Sequence, residues 1–230
     1  MKSGAESPIQ RVMITTQINN KSVLGLWLFL MPSKLLPISN EEKKWVQKLT
    51  PRRGMTYHFS RGCLRHVMSS ITGLEPLAIP IIADPGKQPL LPDGWGHISM
   101  SHCSDALLIG WSSGEIGVDI ERTDRQIQAH KLSKRFFNKY ENYEIENLTP
   151  SEAKELFLKK WVVKEASIKW QSGKIATNIS QWIWKNKSSF AYNKKLRYKV
   201  KIYQQIHDQW TYAIALDEDS LISKPIICLN

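Results

Sequence analysis

Cysteine is scarce and unpaired in this sequence: Cys63, Cys103 and Cys228 are three in number and lie far apart. An odd count cannot close a full disulfide framework, and no C-x-x-C spacing offers a zinc site, so free thiols in a reducing compartment are expected. Long apolar runs are missing too. The longest, Val23 to Met31, falls well short of the ~20 residues that a membrane-spanning helix needs. No small-residue cleavage site follows it, so neither an anchor nor a secretory signal is expected. A P-loop, a GxGxxG fingerprint and an HExxH pair are also absent. These absences point to a cytoplasmic protein without membrane association.

What is present describes a globular chain. Its 230 residues are 42% hydrophobic and 23% charged, a balance that supports a buried core and excludes global disorder. Nine tryptophans argue for packed layers. Lys and Arg number 32 against 21 Asp and Glu, giving a formal charge of +11. That excess favours a polyanionic partner: nucleic acid, an anionic membrane, a multiply phosphorylated small molecule or an acidic protein.

Residues 1–20 read as a flexible lead-in and 221–230 as a tail. Val23–Met31 is apolar enough for a strand buried on both faces. Ser39 and Glu42 have capping-box spacing, which predicts a helix from Asn40 to about Leu49, ended by Pro51. A second helix is expected over about Tyr57–Ile71, stopping at Gly73, and a strand over Ala78–Ala83 before the turn Asp84-Pro85-Gly86-Lys87. His97–Ser101, Ala106–Ser112 and Glu115–Glu121 then read as an antiparallel meander, its last two strands joined by Ser113-Gly114. Thr149-Pro150-Ser151-Glu152 starts a helix running to about Trp170, with Gly173 closing it. Strands at Leu196–Gln205 and Gln209–Leu216 follow. The expectation is an α+β fold of two similar α/β-sandwich halves, 21–112 and 113–220, with the site in the cleft between them.

Four constellations carry chemistry. In Ile116–Glu121 the alternation puts Ile116, Val118 and Ile120 on one face and Asp119 with Glu121 on the other, their Cα atoms ~6.6 Å apart. Two such carboxylates suit a hard cation such as Mg²⁺, or else decorate a solvated strand. In Trp161–Lys169, Glu165 and Lys169 are four apart on a helix face that also carries Leu158, Trp161 and Val162. A carboxylate in an apolar stripe needs a partner or a metal, the alternative being an ordinary surface Glu–Lys pair. Ser101-His102 ends a strand and offers a phosphate donor or a solvated loop; neighbours on a strand point apart, which disfavours a serine nucleophile with its base. Lys87 is either a phosphate-reading lysine or a plain turn residue.

The order of these pieces resembles the Sfp-type 4′-phosphopantetheinyl transferases. Gly86-Lys87, Ser101-His102, Gly117–Glu121 (GVDIE) and Trp161–Lys169 (WVVKEASIK) follow one another as that family's motifs do. Phe136-Phe137-Asn138-Lys139-Tyr140-Glu141 matches its FF-x-x-x-E segment, and Phe59–Arg65 its upstream helix. Cys103 stands where serine is usual, and Gln88 separates Gly-Lys from Pro89. The resemblance implies a pseudo-dimeric fold and transfer of the phosphopantetheine arm of coenzyme A to a serine of an acidic carrier protein: acyl first, polyketide or peptidyl as alternatives. It implies that Asp119, Glu121 and Glu165 hold Mg²⁺, that Lys169 neutralises the diphosphate, and that His102, Ser101 and Lys87 grip phosphates. Arg52 or Arg53 would meet the 3′-phosphate, and Glu165 or Glu141 would take the serine proton. Because both motifs lie on one chain, a monomer is expected. The rival reading is a basic nucleic-acid-binding protein that uses Lys194, Lys195, Arg197, Lys199 and Lys201 with Tyr198 and Tyr203.

Overall fold

A computed structural model describes residues 24–31, 34–81 and 86–220. The expected lead-in, the tail with Cys228, and Asp84 and Pro85 lie outside the described residues. In chain order the elements are β1 (Leu24–Leu30), α1 (Asn40–Lys48), α2 (Pro51–Thr72), β2 (His97–His102), β3 (Ala106–Ser112), β4 (Ile116–Arg122), α3 (Ala129–Phe136), α4 (Lys139–Glu146), α5 (Pro150–Trp170), α6 (Ile175–Asn178), β5 (Trp182–Trp184), β6 (Phe190–Asn193), β7 (Tyr198–His207) and β8 (Trp210–Leu216). This is the expected α+β class.

The strands form two antiparallel sheets, ordered β1-β3-β2 and β4-β8-β7-β6-β5. Alternation along β1 explains the layering. Leu24, Leu26 and Leu28 pack with Ile116, Val118 and Ile120 of β4 and with Tyr212 and Ile214 of β8. Trp27 and Phe29 turn the other way, onto Phe59, Leu64, Val67 and Met68 of α2. On the far side, Val162, Val163 and Ala166 of α5 pack on Ala213 and Ala215 of β8 and on Trp182 and Trp184. The layers therefore run α2, first sheet, second sheet, α5.

Four local expectations are corrected. Pro51 begins α2 instead of only ending α1, because a first-turn residue needs no intrahelical N–H partner. The strand expected at Ala78–Ala83 is, as far as it is described, a 3₁₀ turn at Pro76–Ala78; Arg65 Nη1 takes the carbonyls of Pro76 (3.1 Å) and Ile79 (2.8 Å) in place of a ladder. Strands β3 and β4 do not form a hairpin. Both edges of β3 are already used by β1 and β2, so β4 crosses to the second sheet and pairs with β8. Finally, Ser172, at φ 52°, takes the left-handed position after α5 that was expected of Gly173.

Candidate active site

Strand β4 and helix α5 touch at Gly117. A Cβ there would lie 1.9 Å from Ala166 O and 2.5 Å from Trp170 N, so glycine alone allows backbone to meet backbone. Two residues on, Asp119 reaches the helix and is only 2% exposed. Its Oδ1 accepts from Ser101 Oγ at 2.6 Å and from Lys169 Nζ at 2.7 Å. Lys169 also donates to Val118 O at 3.1 Å and stands 3.9 Å from Glu165 Oε2. Asp119 Oδ2 is buried with no hydrogen-bond partner among the described residues. Glu121 ion-pairs with Arg125 one turn further along the chain.

The charges explain why this corner is strained electrostatically. Burial first, then the neighbouring Asp119 and Glu121 charges, push the Glu165 carboxyl up to about 8 against the pull of Lys169. Burial also raises Glu121, with Arg125 opposing and Asp119 adding. Three acids in mutual range do not all ionise without added positive charge. The orphaned Asp119 oxygen beside two raised carboxyls is the donor chemistry that a hard divalent cation takes, so the residues present fit Mg²⁺. They are not a ready-made cage: among the described residues no three His, Cys, Asp or Glu side chains are gathered tightly enough to enclose an ion.

A cleft of about 1020 Å³ opens beside this corner. Its walls include Arg52, Arg53, Tyr57 and Arg61 of α2, Lys87, His102, Lys169 and, past the end of α5, Lys174; among the described residues no Asp or Glu lines it. Lys169 belongs to both the cleft and the acidic corner. His102 faces the cleft, where desolvation and then the Lys169 charge lower its pKa, keeping the ring neutral at pH 7. Ser101 points the other way. Its hydroxyl donates to Asp119, and among the described residues Ser101 is not part of the cleft wall.

Arg61 is not among the site residues that the sequence motifs imply. It is 3% exposed, its Nε and Nη1 have no hydrogen-bond partner among the described residues, and its guanidinium lies 5.0 Å from the Tyr57 ring centroid. A buried guanidinium facing a basic cleft is incomplete without an anion. The one signal for it in the sequence was a charge set between Phe59, Cys63 and Leu64 on an apolar helix.

Glu141 lies elsewhere. Adjacent residues on a helix point ~100° apart, so Lys164 leaves the acidic corner to Glu165 and meets Glu141 Oε2 at 2.6 Å. Glu141 also accepts from Trp184 N at 3.1 Å and Asn138 Nδ2 at 2.5 Å, with Lys160 3.9 Å away. At 2% exposed, and with both carboxylate oxygens engaged, Glu141 sits apart from the acidic corner and does not line the cleft. The basic stretch before and in β7 is likewise engaged in part. Lys199 pairs with Glu218, and Lys201 donates to Ser220 O at 2.7 Å, so these two cations do not form an open track for a phosphate backbone.

Residues 115–218, which carry the β4 and α5 motifs, match the family model of the 4′-phosphopantetheinyl transferase superfamily. Over that segment the chain is similar to that superfamily. It is 28% identical over 125 residues to the 4′-phosphopantetheinyl transferase HetI of Nostoc sp. strain PCC 7120, covering 52% of each chain. With the 4′-phosphopantetheinyl transferase AcpT of Escherichia coli O157:H7 it shares 31% over 102 residues, 44% of this chain and 52% of AcpT. A Synechocystis sp. strain PCC 6803 protein, slr0495, is 28% identical over 170 residues, 69% of this chain and 68% of that one. The match thus spans about half the length of HetI and of AcpT.

Proposed function

We propose that this protein is an Sfp-type enzyme that moves the 4′-phosphopantetheine arm of coenzyme A to a serine of an apo carrier protein, releasing 3′,5′-adenosine bisphosphate. The observation that carries this is Asp119, one oxygen fixed by Ser101 and Lys169 and the other buried without a partner, next to a cleft with six Lys and Arg side chains on its walls. A doubly charged diphosphate with a further phosphate on its ribose needs such a cleft.

The chain's residues divide the work. Arg61, with Arg52 or Arg53, takes the 3′-phosphate; Lys87, His102 and Lys169 take the diphosphate. Asp119, Glu121 and Glu165 would hold Mg²⁺, which supplies charge neutralisation on the transferring and leaving phosphoryl oxygens. Ser101 keeps Asp119 oriented. The carrier serine oxygen bonds to the pantetheine-side phosphorus while the bond from that phosphorus to the bridging oxygen breaks. The serine proton passes to the Glu165 carboxylate, and the departing bisphosphate leaves its new charge against Lys169. The positive excess of the chain steers an acidic carrier, acyl carrier protein first among them. We place the reaction in the cytoplasm, on a monomer.

The test is a mass measurement on candidate apo carriers after incubation with the protein, coenzyme A and Mg²⁺. A gain of one phosphopantetheine arm is expected. No gain on acyl, polyketide or peptidyl carriers, with the protein folded, would overturn the reading.

A further inference from the structure

The turn between β2 and β3 presents one carboxylate to the opposite sheet. Asp105 Oδ1 accepts from Trp210 Nε1 at 3.1 Å, and Oδ2 accepts from Gln209 Nε2 at 3.2 Å and from the Arg122 guanidinium. All three donors belong to the second sheet or to the β7–β8 turn. Arg122 ends β4, directly after Glu121, and pairs in register with Trp210 at the start of β8. On its own side, Asp105 accepts from Cys103 Sγ at 3.3 Å and Ser104 Oγ at 3.4 Å, and its carbonyl accepts from Met31 N at 2.7 Å. Cys103 and Ser104 line the cleft, whereas Asp105 does not.

Strands β2 and β4 lie side by side without a ladder, joined through Ser99 Oγ, which accepts from Val118 N at 3.0 Å, and through Ser101 with Asp119. The Asp105 clasp closes the open end of that seam, next to His102. We infer that Asp105 is a positioning residue for the transfer reaction: by holding Arg122, Gln209 and Trp210, it fixes the His102 hairpin tip against the strand that carries Asp119 and Glu121. The inference rests on the proposed transferase reading. Asp105 touches no donor atom itself. Its effect is geometric, and a displacement of about 1 Å at a reacting centre costs on the order of 10²-fold in rate.

The experiment is a cycle of Asp105→Ala, Asp105→Asn, His102→Ala and the doubles with His102→Ala. It reads kcat and KM for coenzyme A, calorimetric binding of 3′,5′-adenosine bisphosphate, and the thermal midpoint. Asp105→Ala should lower kcat/KM on the order of 10–100-fold, and Asp105→Asn, which still accepts from Trp210, should recover part of it. On the His102→Ala background, Asp105→Ala should cost less than about threefold more, because the two act through one element. Full activity in a folded Asp105→Ala protein, or losses that multiply in the double variant, would overturn the inference. Should Asp105→Ala fail to fold, Asp105→Asn and Arg122→Gln carry the same cycle. A wild type that neither binds the bisphosphate nor transfers overturns the functional reading and this inference together; a wild type that transfers beside an unaffected Asp105 variant overturns the inference alone.

Discussion

Lys169 Nζ lies 2.7 Å from Asp119 Oδ1, and this one contact joins the end of the long helix α5 to the middle of strand β4. It also separates two kinds of chemistry. The carboxyls of Asp119, Glu121 and Glu165 crowd on one side, and the basic cleft opens on the other.

Removing one of the crowded acids should separate activity from stability. Asp119→Asn and Glu165→Gln are each expected to lose on the order of 10²-fold or more in transfer, since each removes a carboxylate that would hold Mg²⁺ and the second also removes the proton acceptor. The thermal midpoint of Glu165→Gln should hold or rise, because relief of like-charge repulsion offsets the lost Lys169 contact. Carrier mass spectrometry and thermal melts read the two quantities. Parallel losses in both would mark Glu165 as a structural ion-pair partner.

Arg61 offers the complementary case. A buried guanidinium with two unbonded nitrogens is costly to hold, so Arg61→Met should leave the fold as stable or more so. Coenzyme A affinity, measured by calorimetry, should fall about 10-fold, the value of one lost charge-assisted hydrogen bond. Unchanged affinity would show that the donor does not reach this arginine.

Glu141 should behave in the opposite way. Glu141→Ala leaves the fully buried Lys164 without its carboxylate, whereas Lys160 keeps Glu144 at 2.6 Å, and should cost about 3 kcal/mol of stability in denaturant unfolding. The double variant Glu141→Leu with Lys164→Met should regain much of that. A stable Glu141→Ala protein lacking only activity would restore Glu141 to the chemistry.

Acid stability should depend on Glu42. Burial pushes its carboxyl up, but the hydrogen bond from Arg65, the Ser39 backbone N–H and the Arg65 charge outweigh this and hold it below its usual value. A depressed folded-state pKa contributes stability that is complete above the unfolded value, about 4.3, and is lost as pH falls through the folded one. Melting curves between pH 7 and 3 should therefore drop more steeply for the wild type than for Glu42→Gln. Parallel curves would remove this pair from the acid response.

The parts of this molecule readable from sequence were those whose signal is local. Thr149 and Glu152 cap α5 as their spacing predicts, and Ser39 and Glu42 do the same for α1. The alternation in β4 sorts Val118 from Asp119 correctly because it depends only on the pleat. What depended on long-range pairing was not legible. That β4 leaves β3 for β8 follows from β1 and β2 filling both edges of β3 and from a partner strand almost a hundred positions further along the chain. Helices α3 and α4 and the short strands β5 and β6 were not anticipated, since their partners lie on α5 and β7. Glu141 shows the limit most sharply: a motif gave its place in order, but only the positions of Lys160, Lys164 and the Trp184 amide reveal that it is enclosed.

The bare α-carbon at position 117 has a consequence for how this corner can vary. Where main chain abuts main chain, the separation of strand and helix is a hard-wall distance, indifferent to the bulk of surrounding side chains. Hydrophobic residues around it can drift in size through many substitutions while the reach from Asp119 to Lys169 stays constant. The metric of the corner is thus stored in an omitted methyl group, and restoring it would pry the acids and the ammonium apart.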